Sequence, residues 1–264
     1  MQKHTSGKNK LKVIFLGTGT SQGIPIIGCH CETCQSQNPK DKRLRVSVFI
    51  NYKNKNIVID IGPDFRQQML RANIENLDAL LITHEHNDHI IGLDDVRPFN
   101  FKTWSNMPVY AAPRVQETLK KRFAYIFEKK PYPGAPMIEL RSISKEENFV
   151  VEGITVVPIE AMHGKLPVLG FRIGGFTYLT DVKTISEKEL AKAKNSKVLV
   201  LSALHHKEHH SHLSLPQALD LIKKINPGTA YLTHLSHKLG LHETVSKTLP
   251  PNVHLAYDGL ELCI

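Results

Sequence analysis

His84-Glu85-His86-Asn87-Asp88-His89 closes the apolar run Ala79-Leu80-Leu81-Ile82-Thr83. Four side chains able to bind a metal ion, His84, His86, Asp88 and His89, fall within these six residues. Side chains alternate along an extended run, so His84 and His86 leave the strand end on the same side. Asp88 and His89 follow at a spacing that serves a second ion beside the first. Packing gives a surface loop no reason to gather three imidazoles and a carboxylate, whereas a hydrolytic metal centre needs them.

Outward from this loop, apolar runs of strand length recur. They are Val13–Leu16, Val46–Ile50, Ile57–Ile61, Val109–Ala111, Ile154–Ile159, Gly170–Ile173, Phe176–Leu179, Val198–Leu201, Ala230–Leu232 and Val253–Ala256. Three stretches read as helices. Pro113–Phe127 opens on a proline and carries Val115, Leu119, Phe123 and Ile126 at helical spacing. Ser186–Ala193 has Glu189 three residues after Ser186, the spacing of a capping box. Pro216–Ile225 follows Ser214 and ends at the turn Asn226-Pro227-Gly228. Strands in both halves with helices between them predict an α+β domain of two mixed sheets packed face to face, with helices outside.

Length and composition agree with one large domain. The chain has 264 residues, of which 41% are hydrophobic, enough for a sizeable core. Residues 1–10 are polar and basic and are expected to be a flexible N-terminal tail before a domain spanning residues 11–264. No run approaches the ~18–20 apolar residues of a membrane span, so no membrane partner is expected and the expected location is cytoplasmic. The net charge of +9 suits nucleic acid or a small anionic substrate. Its lysines and arginines are spread out, and solubility alone accounts for scattered lysines.

Three of the four cysteines crowd into Gly28-Cys29-His30-Cys31-Glu32-Thr33-Cys34. In a reducing compartment such a cluster points to metal rather than disulfide. Three thiolates want one more ligand to close a tetrahedral zinc site. The candidates are His30 and His237, the latter three residues past His234. Cys263 stands apart in the apolar ending Leu260–Ile264 and reads as a buried strand residue.

Other ligand types stand just beyond apolar strands, where loops present function on a rigid scaffold. His163 lies in Ala161-Met162-His163-Gly164, Asp181 follows Tyr178-Leu179-Thr180, and His234 follows Tyr231-Leu232-Thr233. With the opening loop, these residues make the chain resemble the metallo-β-lactamase-fold hydrolases. That family's pattern is an H-x-H-x-D-H loop followed by a His, an Asp and a His in later strand-end loops. The resemblance runs from Gly17-Thr18-Gly19-Thr20 to Tyr257-Asp258-Gly259 and implies a single-domain, four-layer αββα sandwich. It also implies two divalent active-site ions, zinc or manganese. His84, His86 and His163 would hold one, Asp88, His89 and His234 the other, and Asp181 would bridge both. Asp60 matches the family's aspartate that orients a ligand histidine through its other ring nitrogen. It reads equally as a turn or helix-start residue before Gly62-Pro63.

The cysteine loop narrows the resemblance to the phosphoribosyl cyclic phosphate phosphodiesterases of the carbon–phosphorus lyase pathway. That subfamily has the same three-cysteine loop and closes it with the second histidine of a T-H-x-S-H segment, here His237. The implied site is one structural zinc held by Cys29, Cys31, Cys34 and His237.

Paired ions share a water and lower its pKa toward ~7, and they draw in the oxygens of a phosphodiester. The leaving alkoxide still needs a proton. Phosphodiesterases of this fold carry a histidine in an H-x-S context between the bridging Asp and the last metal His. His212, in Ser211-His212-Leu213-Ser214, is that histidine here, as general acid or phosphate-binding group. The neighbouring His205, His206, His209 and His210 leave open a histidine-rich loop that binds nothing specific. Asp88 and His212 are the candidate catalytic residues.

The expected activity is hydrolysis of a small phosphodiester, a cyclic ribose phosphate in particular, by a protein that acts alone or as a homodimer. Two rivals remain. Transfer-RNA 3′-end endonucleases share the metal loop but usually carry a long protruding arm, and no insertion of that length is visible. A pyrroloquinoline quinone biosynthesis protein shares a similar cysteine loop, but its active-site ligands usually depart from the hydrolase set, which is complete here.

Overall fold

The computed structural model describes residues 10–264. The expected tail therefore lies, except for the exposed Lys10, outside the described residues. Fourteen strands form among them. In chain order they are β1 (Lys12–Gly17), β2 (Ser47–Tyr52), β3 (Lys55–Ile59), β4 (Ala79–Leu81), β5 (Met107–Ala111), β6 (Ile138–Ser142), β7 (Phe149–Val151), β8 (Ile154–His163), β9 (Leu166–Ile173), β10 (Phe176–Leu179), β11 (Val198–Ser202), β12 (Thr229–Thr233), β13 (Val253–Leu255) and β14 (Glu261–Cys263). They make two seven-stranded sheets, ordered β14-β1-β2-β3-β4-β5-β6 and β13-β12-β11-β10-β9-β8-β7.

The strand pleat explains the layers. Val13 and Phe15 of β1 face inward and meet Phe171 and Tyr178 of the second sheet in the central core. Ile14 and Leu16, one residue out of phase, face outward and pack with Phe65, Met69, Val115 and Leu119. Those residues belong to the helices Phe65–Arg71 and Pro113–Arg122. On the second sheet Val200 joins the central core, while Leu199 and Leu201 pack outward with Leu190, Ala218 and Ile222. The helices there are Glu187–Ala193 and Leu215–Ile225. Central strands are thus buried on both faces, which is why they read as unbroken apolar runs. Helix, sheet, sheet and helix form four layers.

Three local expectations change. The helix opening at Pro113 ends at Arg122, and Ala124–Ile126 continues as a 3-10 turn because Phe123 leaves helical geometry (φ −113°, ψ 42°). Ser186 caps its helix by accepting from the Glu189 N–H, but the Glu189 carboxylate accepts from the Glu160 N–H (2.8 Å) instead of completing a box. The complete box lies at Ser214 and Gln217. Cys263 is exposed on β14, an edge strand, and not buried.

Candidate metal centre

The strand-end candidates meet at one end of the sandwich. Asp60 follows β3, His84 follows β4, His163 ends β8, Asp181 follows β10 and His234 follows β12. Three of them, Asp60, Asp181 and His234, sit in left-handed backbone (φ 65°, 56° and 56°). Such conformations cost on the order of 1–3 kcal/mol for non-glycine residues and concentrate where side chains are held for function. Gly62 lets the Asp60 segment close on the metal loop, since a Cβ there would lie 2.2 Å from the Asp88 carbonyl oxygen.

Ligand atoms converge on Asp181. His89 Nε2 and His234 Nε2 each lie 3.3 Å from one of its carboxylate oxygens, and His212 Nδ1 lies 3.7 Å away. Asp88 Oδ2 lies 3.4 Å from His89 Nε2 and 3.8 Å from His234 Nε2. Facing them, His84 Nε2 is 3.0 Å from His86 Nδ1, and the His86 and His163 rings are 5.2 Å apart. Three sets of donor atoms lie within ion-binding distance of one another: His84, His89 and Asp181; Asp88, His89 and His234; His163, Asp181 and His212. Six of the seven expected ligands fall in these sets, together with His212; His86 is in none of them and adjoins the cluster through His84 and His163.

Outer hydrogen bonds aim the rings. His89 Nδ1 donates to Asp60 Oδ2 (2.7 Å), and His163 Nδ1 donates to the Ser211 carbonyl (2.8 Å). Thr83 Oγ1 donates to Asp60 Oδ2 (2.9 Å) and accepts from His84 Nδ1 (3.0 Å). Each bond places the proton on Nδ1 and leaves Nε2 as a lone-pair donor facing the centre. Sequence reasoning missed Thr83. A signal was present: Thr83, Thr180 and Thr233 each precede a strand-end ligand. Thr180 Oγ1 donates to Asp181 Oδ2 at 2.7 Å.

Buried polar groups normally find a partner. Here His89 Nε2, His212 Nδ1 and both ring nitrogens of His234 are buried without a hydrogen bond. Charge tells the same story. Burial opposes a proton on His89, yet Asp60, Asp181 and Asp88 outweigh it and raise the His89 pKa well above the ordinary imidazole value. Burial likewise opposes ionisation of Asp181, but His234, His89, His84 and His212 hold its carboxyl far below the usual range. Orphaned nitrogens around two buried carboxylates fit divalent cations. His212 is pushed down to about 3 by burial, with His234 adding to the effect and Asp181 opposing it. It lines a cleft of about 360 Å3 with Thr20, Gln22, His209, His234 and Lys238.

A second cluster stands behind this cleft. Cys29, Cys31 and Cys34 place their sulfurs 3.3, 3.3 and 3.6 Å from His237 Nδ1. The Cys34 N–H, together with His237 and Cys29, outweighs burial and lowers the Cys31 thiol to about 6, while burial raises Cys34 to about 11. Three sulfurs around one imidazole nitrogen fit a closed tetrahedral zinc site. His30, the other candidate for closing it, is exposed and absent from the cluster.

This fold and this cluster are those of the metallo-β-lactamase superfamily. The family model for the beta-lactamase superfamily domain matches residues 55–235, and the chain belongs to that superfamily. A solved structure of a new diphosphatase from the PhnP family is similar at a TM-score of 0.91 and 38% identity, covering 97% of both chains. A Porphyromonas gingivalis (strain ATCC BAA-308 / W83) protein named octanoyltransferase is 44% identical over 257 residues, 96% of this chain and 52% of that one. The present chain therefore spans about half the length of that relative. Ribonuclease Z of Listeria monocytogenes serovar 1/2a (strain ATCC BAA-679 / EGD-e) is 24% identical over 312 aligned positions, covering 94% and 97%. Among the described residues, no helix is long and apolar enough to cross a membrane.

Proposed function

We propose that the chain hydrolyses small phosphodiesters with two divalent ions in the cluster around Asp181, and that a cyclic ribose phosphate is its substrate type. His84, His86 and His163 would hold one ion, Asp88, His89 and His234 the other, and Asp181 both. Cys29, Cys31, Cys34 and His237 would hold a structural zinc. The observation that carries this reading is the placement of His212 beside Asp181, inside a cleft that also opens onto His234. When bound, the ions would make a nucleophilic water available near neutral pH and offset charge on the phosphoryl oxygens. The protein's own work is positional. Asp60 and Thr83 fix His89 and His84, the Ser211 carbonyl fixes His163, and His212 presents a ring nitrogen towards the leaving oxygen, where the charge of a bound phosphate would favour its proton.

A small substrate is favoured over precursor tRNA because the longest helix among the described residues is Leu215–Ile225, 11 residues packed on the sandwich, and no arm protrudes. The diphosphatase activity named for the PhnP-family relative is also attack on phosphorus with an oxygen leaving, so a diphosphate diester is the second candidate. The acyl transfer named for the Porphyromonas protein belongs to a chain about twice as long. The test is turnover by metal-loaded protein on bis(p-nitrophenyl) phosphate, a cyclic ribose phosphate, a diphosphate diester, a precursor tRNA and an octanoyl thioester. Turnover of the cyclic ribose phosphate above the other four is the expected result. Cleavage of the tRNA or thioester without the small diesters would overturn the proposal.

A further inference from the structure

Outer hydrogen bonds aim His84, His89, His163 and Asp181, whereas His86 has none among the described residues. Its hydrogen bond among the described residues is to His84, another proposed ligand. The adjacent Glu85 is held instead. Arg114, on the helix Pro113–Arg122, gives one guanidinium nitrogen to Glu85 Oε1 and the other to the Pro167 carbonyl (2.6 Å). Pro167 lies on β9 directly opposite Met162 of β8, and the next pair along the ladder is His163 with Leu166. One planar fork thus spans the loop carrying His84 and His86 and the hairpin carrying His163. The nearby Glu160 is taken by Lys145 (2.6 Å), so Glu85 is the carboxylate left to Arg114. The other Glu85 oxygen is buried without a partner, which leaves Arg114 as the group that keeps this carboxylate in place.

We propose that Arg114, acting through Glu85, is a positioning residue that sets the gap between His86 and His163 and so governs occupancy of one of the two active-site metal positions. The inference rests on the dinuclear reading above. Asp60 anchors His89 directly and His84 through Thr83, so the Arg114–Glu85 pair is a further anchor, on the side of His86 and His163. An arginine suits the task because its fork grips two acceptors in fixed geometry, which a lysine ammonium does not. Nothing in the H-x-H spacing requires a glutamate between the histidines, so this anchor is a property of this chain's own Glu85 and Arg114.

The test counts metal ions per chain by native mass spectrometry as chelator is titrated into the holoprotein, with the far-ultraviolet circular dichroism followed at each step. Wild type is compared with Glu85→Gln, Arg114→Gln and Arg114→Lys. Loss of an outer partner typically weakens a metal by about 10–100-fold. One ion should therefore leave both glutamine variants at about 10–100-fold lower chelator than in wild type. The other active-site ion and the cysteine-site ion should stay, the dichroism should not change, and Arg114→Lys should fall in between. Glutamine variants that hold all ions like wild type overturn the inference. Release of every ion together with loss of native dichroism overturns it too, since that marks a general structural role. A wild-type protein that takes up no ion beyond the cysteine site overturns the dinuclear reading itself, and this inference with it.

Discussion

His163 Nδ1 donates to the carbonyl oxygen of Ser211, 2.8 Å away, one residue ahead of His212. A proposed ligand and the proposed proton donor are therefore mechanically joined: movement of the β8–β9 turn moves both. Gly164 forms that turn in left-handed backbone (φ 61°), and a Cβ there would lie 3.4 Å from Ser211 Cβ. Gly164→Ala should cost about 1–2 kcal/mol through backbone strain. It should also lower turnover more than the stability loss explains, because relief of the strained turn moves His163 and, through the Ser211 carbonyl, the His212 loop. Thermal melting and steady-state kinetics on one preparation check this. A destabilised enzyme with wild-type turnover below its melting temperature would show that the joint is irrelevant to chemistry.

Removing the His212 ring should leave the metal cluster standing. Proton transfer by a positioned side chain contributes about 10²–10⁴-fold. His212→Ala is therefore expected to lose about that much turnover while its metal content matches wild type. The loss should be smaller for a substrate whose leaving group is a p-nitrophenolate, which departs without protonation. Loss of metal in His212→Ala would instead make it a ligand, an outcome its membership of the set His163, Asp181 and His212 makes worth measuring.

What the sequence discloses depends on burial. The strands β1–β5 and β8–β12 lie largely between packed layers and show themselves as apolar runs. The strands β6, β7, β13 and β14 are sheet edges, and their residues alternate or stay partly exposed, as in Ile138-Glu139-Leu140-Arg141. Cys263 reads as buried because the ending Leu260–Ile264 is mostly apolar, but β14 lies at a sheet edge and leaves it exposed. The candidate ligands are legible because each stands directly behind a strand or in the H-x-H-x-D-H loop. The left-handed backbone at Asp60, Asp181 and His234 is not, since aspartate and histidine enter that conformation more often than most residues but still only in a small share of cases. Nor is the Arg114–Glu85 contact, which exists only once the helix after β5 packs beside β9.

The cysteine cluster ties the loop after β1 to the segment that follows His234. Besides the Cys29, Cys31 and Cys34 contacts to His237, the Leu235 N–H donates to the Thr18 carbonyl (2.9 Å). Cys31→Ser should release one ion per chain and destabilise the fold by on the order of 3 kcal/mol, roughly 6–12 °C of melting temperature at this size. Metal analysis and calorimetry decide the matter. Unchanged metal content and melting temperature would mean that three free thiols merely share a loop.

Acid should weaken the fold in part through His242, outside both metal clusters. Its Nδ1 faces the buried Arg43 guanidinium (3.2 Å), whose other nitrogen donates to Thr18 Oγ1 (2.7 Å) and the Ala256 carbonyl (2.6 Å). Burial, with Arg43 and Lys40 adding to it and Asp41 opposing, lowers the His242 pKa from 6.5 to about 4. Between those values the unfolded chain carries a proton that the folded chain refuses, so stability rises with pH across the window. The contribution is full above pH 6.5 and is lost as pH falls toward 4. His242→Gln keeps an acceptor for Arg43 but cannot titrate. Its loss of stability between pH 7 and pH 4.5 should be smaller than the wild type's by about 2 kcal/mol. Urea unfolding of both proteins at the two pH values measures this, and because both carry the same metal ligands and carboxylates, protonation of those groups cancels in the comparison. Parallel pH dependence in the two proteins would remove His242 as a source of acid sensitivity.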